Sequence, residues 1–327
     1  MIKVGIYGYG HLGRGVELAL RGAPDMEPAA IFTRRPPDEV RPVTENLPVL
    51  SENTLGLMAQ RLDVVILCGS SADDLPVQTP ACAALVPFVD SFDDHNKIPQ
   101  HYRNVDKAAC IAGTVGIISA GWDPGLFSLV RAMAGAVFPG GHTATFWGRG
   151  VSQGHSAAIR RIPGVQDARQ YTVPSPKAME AARQGALPDL DTHWMHTREC
   201  YVVPQPGADR GLIERTIRGM PDYFAGYETA VHFVSQEELT AAHRGLAHAG
   251  RVVATSATGQ REEHRHTAEF SLTLGSNPEF TGAVLTAYAR AVVRLYRRGE
   301  RGCRTPLDIP PALLSPLSAG ELRAKLL

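Results

Sequence analysis

The chain has no surplus of charge, little cysteine and no long apolar run. Its 33 lysines and arginines balance 33 aspartates and glutamates, so it lacks the basic excess that nucleic acid or an anionic membrane surface requires. No apolar stretch approaches the length of a membrane span. The five cysteines, Cys68, Cys82, Cys110, Cys200 and Cys303, are odd in number and have no C-x-x-C spacing, which reads as reduced thiols in a cytoplasmic protein. The first residues enter a strand at once and leave no room for a signal peptide, in keeping with that compartment. A G-x-S-x-G elbow, which a serine hydrolase of the α/β type needs, is missing. The histidine pairs His193/His196, His243/His248 and His264/His266 match no standard zinc motif, so no metal is expected.

What is present begins at residue 2. Lys3–Tyr7 reads as a strand that runs into a glycine fingerprint at Gly8, Gly10 and Gly13. Leu12–Leu20 follows as a helix with Leu12, Val16 and Leu20 on one face, and Met26–Phe32 completes a βαβ unit. The first glycine permits a tight turn, the second a close approach to a pyrophosphate, the third close packing of helix on strand. Where an NAD enzyme places an acid, this chain has Thr33-Arg34-Arg35. An acid would repel a ribose 2′-phosphate, whereas two guanidiniums suit it, so the expected cofactor is NADP.

At 327 residues the chain has room for two domains. Residues 1–122 read as a Rossmann-type, doubly wound parallel sheet. Asp63–Cys68 is an apolar run of the kind a buried strand needs, Val86–Asp90 is a fourth strand and Gly116–Ala120 a fifth. Ligands in such sheets sit outside the carboxyl ends of the strands. Residues 123–277 read as a second, α+β domain with a mostly antiparallel sheet. It follows a helix at Leu126–Ala136 and has β-type segments at Thr143–Trp147, Ala168–Val173, Cys200–Val203, Tyr227–Val234, Arg251–Ala257 and Thr267–Leu274. Helices are expected at Pro176–Gln184 and Asp209–Gly219, and a loop at Gly185–Thr197. Asn277 reads as the N-cap of a long final helix reaching about Arg298, and the segment from about 278 to 327 is expected to pack back on the first domain.

The loops after the fourth and fifth strands carry the most chemistry. Val89-Asp90-Ser91-Phe92-Asp93-Asp94-His95 offers three carboxylates and an imidazole, and Gly121-Trp122-Asp123-Pro124 offers one more. Asp93 and Asp123 would face the nicotinamide end of the crevice. Two carboxylates there hold an ammonium group and accept its proton, giving the neutral amine that hydride loss from the α-carbon needs. The loop from Trp147 through Gln153 and Gly154 has free backbone amides suited to a carboxylate. Thr172, Arg198, His248 and Asn277 are far apart, and nothing in their spacing joins them.

These motifs, in this order, resemble the meso-diaminopimelate dehydrogenase family. The resemblance rests on Gly-Tyr-Gly-His-Leu-Gly-Arg, Ile-Phe-Thr-Arg-Arg, Val-Asp-Ser-Phe-Asp-Asp-His, Gly-Trp-Asp-Pro-Gly, Phe-Trp-Gly-Arg-Gly-Val-Ser-Gln-Gly-His-Ser, Arg-Arg-Ile-Pro-Gly-Val-Gln and Met-Pro-Asp-Tyr-Phe-Ala-Gly-Tyr-Glu. It implies reversible, NADP-dependent oxidative deamination of the D-centre of meso-diaminopimelate to L-2-amino-6-oxopimelate and ammonia, in lysine biosynthesis. It also implies a homodimer built through the second domain. On the family's pattern the substrate positions are Asp93, Asp123, Trp147, Gln153, Gly154, Thr172, Arg198, His248 and Asn277, with the aspartates at the reacting D-amino group. Arg198, Thr172, His248 and Asn277 would hold the distal L-centre. The cofactor positions are Gly8, Tyr9, Gly10, His11, Leu12, Gly13, Thr33, Arg34, Arg35, Cys68, Gly69, Ser70, Ser71, Ser91, Phe92, Asp93, Ala120, Gly121, Trp122, Asp123 and Pro124.

Two other readings are weaker on this sequence. A two-domain sugar dehydrogenase places Lys-Pro after the fifth strand, and here no lysine stands there. A non-catalytic NADP sensor has no need of a carboxylate pair beside the nicotinamide.

Overall fold

The computed structural model describes residues 1–185 and 192–327, and the chain forms two compact units, Met1–Leu129 with Pro278–Leu327, and Val130–Asn277. In chain order the first unit contributes β1 (Ile2–Tyr7), α1 (His11–Arg21), β2 (Met26–Thr33), β3 (Val49–Ser51), α2 (Leu55–Met58), β4 (Val64–Leu67), α3 (Leu75–Ala83), β5 (Phe88–Asp90), α4 (Ile98–Ala112) and β6 (Val115–Ile117). The helix α5 (Leu126–Val137) carries the chain onward. The second unit contains β7 (His142–Trp147), β8 (Gly150–Val151), α6 (Gln153–Arg160), β9 (Val165–Pro174), α7 (Pro176–Arg183), α8 (Thr192–Met195) and β10 (His196–Pro204). It continues through α9 (Arg210–Arg218), β11 (Thr229–Phe233), α10 (Gln236–Ala242), β12 (His248–Thr258) and β13 (His264–Leu274). The tail comprises α11 (Asn277–Arg297), β14 (Gly302–Arg304) and α12 (Ala319–Leu326).

The first unit is built on a seven-stranded sheet in the order β14-β6-β5-β4-β1-β2-β3, with every adjacent pair parallel. Alternation along β4 explains how both faces are covered. Val64 and Ile66 join Val16 and Leu20 of α1 and Leu285 and Val292 of α11 in one apolar cluster. Val65 and Leu67 join Leu75 of α3 and Val105 and Ala109 of α4 in another. All four β4 residues are fully buried, which is why the segment reads as an unbroken apolar run. The strand order reverses between β1 and β4, so the crevice of a doubly wound sheet opens at the carboxyl ends of those strands. The five strands expected here are joined by β3 and β14 at the two edges. Arg290 of α11, itself buried, pairs with Asp25 at 2.7 and 2.8 Å and ties the tail to the start of β2.

The second unit is mostly antiparallel, as expected, and departs from expectation at one strand pair. Among the described residues it has two sheets, β11-β10-β9-β8 and β13-β12-β7, and β11 runs parallel to β10. The alternating residues 228–233 therefore mark a parallel edge strand, since side-chain alternation reports the faces of a strand and not the direction of its neighbour. The buried side of β9 and β10 packs on Ile159 of α6 and Ile213 and Ile217 of α9. Of the loop expected at 185–197, residues 186–191 lie outside the described residues. Thr192–Met195 is helical, and the strand begins at His196, four residues before the expected Cys200. Helix α11 counts Asn277 as its first residue, so its cap position falls on Ser276.

Candidate active site

The glycine fingerprint takes the shape its chemistry requires. Gly8 sits at φ +92°, a region that favours glycine, and its amide donates to Phe32 O at 2.9 Å. A Cβ on Gly13 would lie 2.1 Å from Gly8 O, so only glycine lets α1 start so close to the turn. A Cβ on Gly10 would meet no protein atom within 4 Å. No side chain caps α1 at Gly10, so the amides of its first turn, beginning at His11 and Leu12, point outward from the loop. A cavity of about 300 Å³ lies beside it, lined by Gly8–Gly10, Thr33–Arg35 and Cys68–Ser70, three segments that the family resemblance assigns to the cofactor.

Within that cavity the arginines are already engaged. Thr33 Oγ1 accepts from the Arg35 amide at 3.1 Å, and the Arg35 guanidinium donates back to the Tyr9 carbonyl. Arg34 Nη1 lies 2.8 Å from Asp74 Oδ1, at the start of α3. Asp74 also accepts from the Ser70 amide at 2.9 Å. A further carboxylate, the buried Glu17, accepts from the Tyr9 hydroxyl and from the Val43 and Thr44 amides at 3.1 and 2.5 Å. The Tyr9 hydroxyl is pushed up to about 12 by burial and by this carboxylate, so it remains a donor. Sequence reasoning missed Asp74 and Glu17, because each finds its partner across a loop or another strand.

The carboxyl ends of β5 and β6 carry the two aspartates singled out above. These strands are neighbours, with Phe88 opposite Gly116 and Val89 opposite Ile117. Asp93 is exposed and its amide donates to Ser71 Oγ at 2.9 Å, which links the loop after β5 to the loop after β4. Asp123 is half-buried, and Trp122 beside it packs edge-on to Phe127 at 5.2 Å between ring centroids. Ala120 and Gly121 are buried under this turn, and Pro124 is half-buried. Two members of the acidic cluster behave otherwise. Asp94 pairs with Lys97 at 2.8 Å, a local surface contact. Asp90 is the last residue of β5 and fully buried, so its carboxylate leaves the loop for the interior. Ser91 is half-buried and Phe92 buried, its ring stacked on His101 at 4.1 Å.

The second unit gathers most of its candidates around β9 and β10. Arg198 stands opposite Thr172 across the antiparallel pair and donates to its hydroxyl at 2.5 Å. The guanidinium lies 4.1 Å from the centroid of the Tyr227 ring. Arg198 is 9% exposed, and its Nε has no hydrogen-bond partner among the described residues. Burial lowers its pKa and Tyr227 opposes that shift, and no carboxylate among the described residues offsets it. His155 is pushed down to about 4, first by burial and then by the charge of Arg198, and so stays neutral. Trp147 ends β7, where its amide donates to His196 Nε2 at 2.9 Å and its ring stacks on that imidazole. Gln153 and Gly154 open α6 and are exposed. His248 opens β12 with its imidazole flat on Gly150, where a Cβ would come within 2.3 Å of the ring. Burial lowers the pKa of His248. Asn277 donates its amide to Leu246 O at 2.9 Å. Tyr227 and His155 were not foreseen as site residues, although both lie within motif strings of the family.

Comparison with known proteins identifies the family. The model of the diaminopimelic acid dehydrogenase C-terminal domain matches residues 121–276. A meso-diaminopimelate D-dehydrogenase of Acetivibrio thermocellus is 52% identical over 326 residues, covering 100% of this chain and 98% of that one. The chain belongs to the meso-diaminopimelate D-dehydrogenase family. A further member, from Corynebacterium glutamicum, is 43% identical over 99% of this chain and 98% of its own. A crystal structure of the diaminopimelate dehydrogenase of C. glutamicum in complex with diaminopimelate superposes with a TM-score of 0.92, at 43% identity over 100% of this chain and 99% of that one. An engineered D-amino acid dehydrogenase bound to NADP+ superposes at 0.87, with 42% identity over 100% and 99% of the two chains. The family consists of oxidoreductases acting on CH–NH2 donors through a nicotinamide cofactor, and the parallel sheet with its glycine turn is the part of this chain built to bind one.

Proposed function

We propose that this protein catalyses the NADP-dependent, reversible oxidative deamination of the D-centre of meso-diaminopimelate. The products are L-2-amino-6-oxopimelate, NADPH and ammonia, and the role is in lysine biosynthesis. The observation that carries the substrate is Arg198, a buried cation with no carboxylate beside it among the described residues. Burying an unpaired guanidinium is costly unless an anion completes it. The carboxylate of a distal L-centre supplies that anion, and a simple D-amino acid does not. Thr172 orients the guanidinium, and His248 and Asn277 take the remaining polar atoms of the distal end. The neutral His155 adds no competing positive charge.

The nicotinamide, when bound, takes the hydride lost by the α-carbon. The chain's own part is to prepare the amine. Asp93 and Asp123 hold the reacting ammonium by charge-assisted hydrogen bonds and accept its proton, so that nitrogen can share its lone pair as the hydride departs. Water then adds to the resulting imine, and ammonia leaves. Trp147, Gln153 and Gly154 complete the substrate contacts. Arg34 and Arg35 hold the ribose 2′-phosphate and set the preference for NADP. We further place the enzyme in the cytoplasm, as a homodimer associating through the second unit; no helix among the described residues is long and apolar enough to cross a membrane.

The test is NADPH formation with meso-, LL- and DD-diaminopimelate. Meso is the expected substrate. LL lacks a D-centre and is expected to be inert, and DD lacks the distal L-centre and is expected to be poor. Equal rates with DD and meso overturn the assignment of the distal end.

A further inference from the structure

We propose that Asp90 is a positioning residue whose single carboxylate sets the loops carrying Asp93 and Asp123 in one mutual geometry. The proposal rests on the reading that those two aspartates handle the substrate amine. Its own basis is independent of that reading. Asp90 Oδ1 accepts from the Phe92 amide at 3.1 Å and from the Ser119 amide at 2.8 Å. The first amide lies one residue before Asp93, the second four residues before Asp123. One oxygen atom is therefore the shared anchor of two loops. The Asp90 carbonyl adds a second tie, accepting from the Ala120 amide at 3.0 Å.

The other oxygen shows why the carboxylate is held so firmly. Oδ2 accepts from the Thr79 hydroxyl of α3 at 2.8 Å and lies 2.7 Å from His101 Nε2 of α4. A carboxylate is planar, so two donors on Oδ2 fix where Oδ1 lies. Asp90, Thr79 and His101 are all buried, and Phe92 closes the site by stacking on the imidazole at 4.1 Å. Ser119 stands at φ 57°, a conformation that non-glycine residues rarely adopt. Its amide reaches Asp90 in that conformation, so the bond helps to set the entry into the Ala120–Pro124 turn. With four donors the carboxylate has filled its capacity, and it does not extend to substrate. It acts through the two loops.

Two substitutions separate positioning from stability. Asp90→Asn keeps an acceptor oxygen for both amides, and Asp90→Leu removes it at similar volume. Activity is referred to folded protein, measured by circular dichroism, with saturating NADP and meso-diaminopimelate. Asp90→Asn is expected to keep at least about a third of the parent kcat, and Asp90→Leu to lose about 30-fold or more, the scale of misplacing a reacting group. The KM for NADP, set mainly at the distant phosphate end, is expected to stay within about threefold. If Asp90→Leu does not fold, His101→Phe keeps a ring against Phe92 and removes only the donor. Its kcat should fall about fivefold, with recovery in His101→Gln, whose amide donates again. A parent-like kcat in folded Asp90→Leu, or in His101→Phe, overturns the proposal. An Asp90→Asn as slow as Asp90→Leu does so too, since charge rather than the shared acceptor would then matter. Asp93→Asn and Asp123→Asn run alongside. If both keep the parent kcat, the reading of the amine site fails first, and the two failures are told apart.

Discussion

Arg198 and Thr172 stand directly opposite each other on β10 and β9, and the guanidinium donates to the threonine hydroxyl at 2.5 Å. They are 26 residues apart in sequence and are joined by the register of one strand pair. That register places a cation, with no carboxylate partner among the described residues, on the side of the sheet that also packs the apolar cluster around Cys200 and Val202. Charge of this kind is kept where a ligand completes it.

Substrate preference follows from that pairing. The unaltered enzyme should strongly prefer meso-diaminopimelate over D-lysine, which lacks the distal carboxylate. Arg198→Leu should lose about 30-fold or more in kcat/KM for meso-diaminopimelate, the usual cost of truncating one partner of a buried charge pair. It should change D-lysine turnover far less, so the preference narrows. Equal loss on both substrates would show that Arg198 supports the reacting centre or the fold instead.

Cofactor preference should divide unequally between the two arginines. Arg34 already has Asp74 as a counter-ion, and a 2′-phosphate must compete with it. Among the described residues the Arg35 guanidinium bonds only to a backbone carbonyl, and its charge has no counter-ion there. Replacing both with alanine should raise the KM for NADP more than about tenfold, from charge-assisted bonds worth roughly 1.5–3 kcal/mol each. NAD turnover should be nearly unchanged. Arg35→Ala alone should cost more than Arg34→Ala. Equal use of NAD and NADP by the unaltered enzyme would contradict this account.

Asp123→Asn should damage turnover more than folding. The change is nearly isosteric and removes the charge that holds and deprotonates the amine. A large loss of kcat at an unchanged melting temperature is expected. Near-normal kcat with an unaltered pH–rate profile would remove Asp123 from the mechanism.

His155 makes stability depend on pH in a known direction. Its folded pKa is pushed down to about 4, while the unfolded chain takes up a proton near the ordinary value of about 6.5. Stability is thus complete above roughly pH 6.5 and falls as the pH drops toward 4, where the folded state is protonated as well. The loss is on the order of 3 kcal/mol. Denaturant titrations of the parent and His155→Gln between pH 8 and 4 isolate the effect, because His248 and His243 shift the same way in both proteins. Parallel curves would mean that His155 is not held neutral by the fold.

What the sequence determined by itself is local. The turn at Gly8 and the close approach at Gly13 are backbone requirements that only glycine meets, so they can be read without a partner in view. The buried strand Val64–Leu67 was legible because both of its faces need apolar residues. The family motifs pointed to Asp93 and Asp123 in the same way, as short strings, whereas Arg198 lies in none of those strings. Tertiary structure decided everything that depends on which elements lie side by side. Helix α3, with Pro80 inside it, carries no clear periodic signal and is helical because the sheet covers it. The direction of β11 depends on its neighbour and not on its own alternation. Asp90 looked like one more acid in a polar loop. Only the packing of α3 and α4 turned it inward, gave it Thr79 and His101, and aimed its other oxygen at the Phe92 amide nearby and the Ser119 amide 29 residues on. Arg34 and Asp74 found each other for the same reason. A side chain's type is written in the chain, but its partner is set by burial and strand order, which join residues that sequence keeps apart.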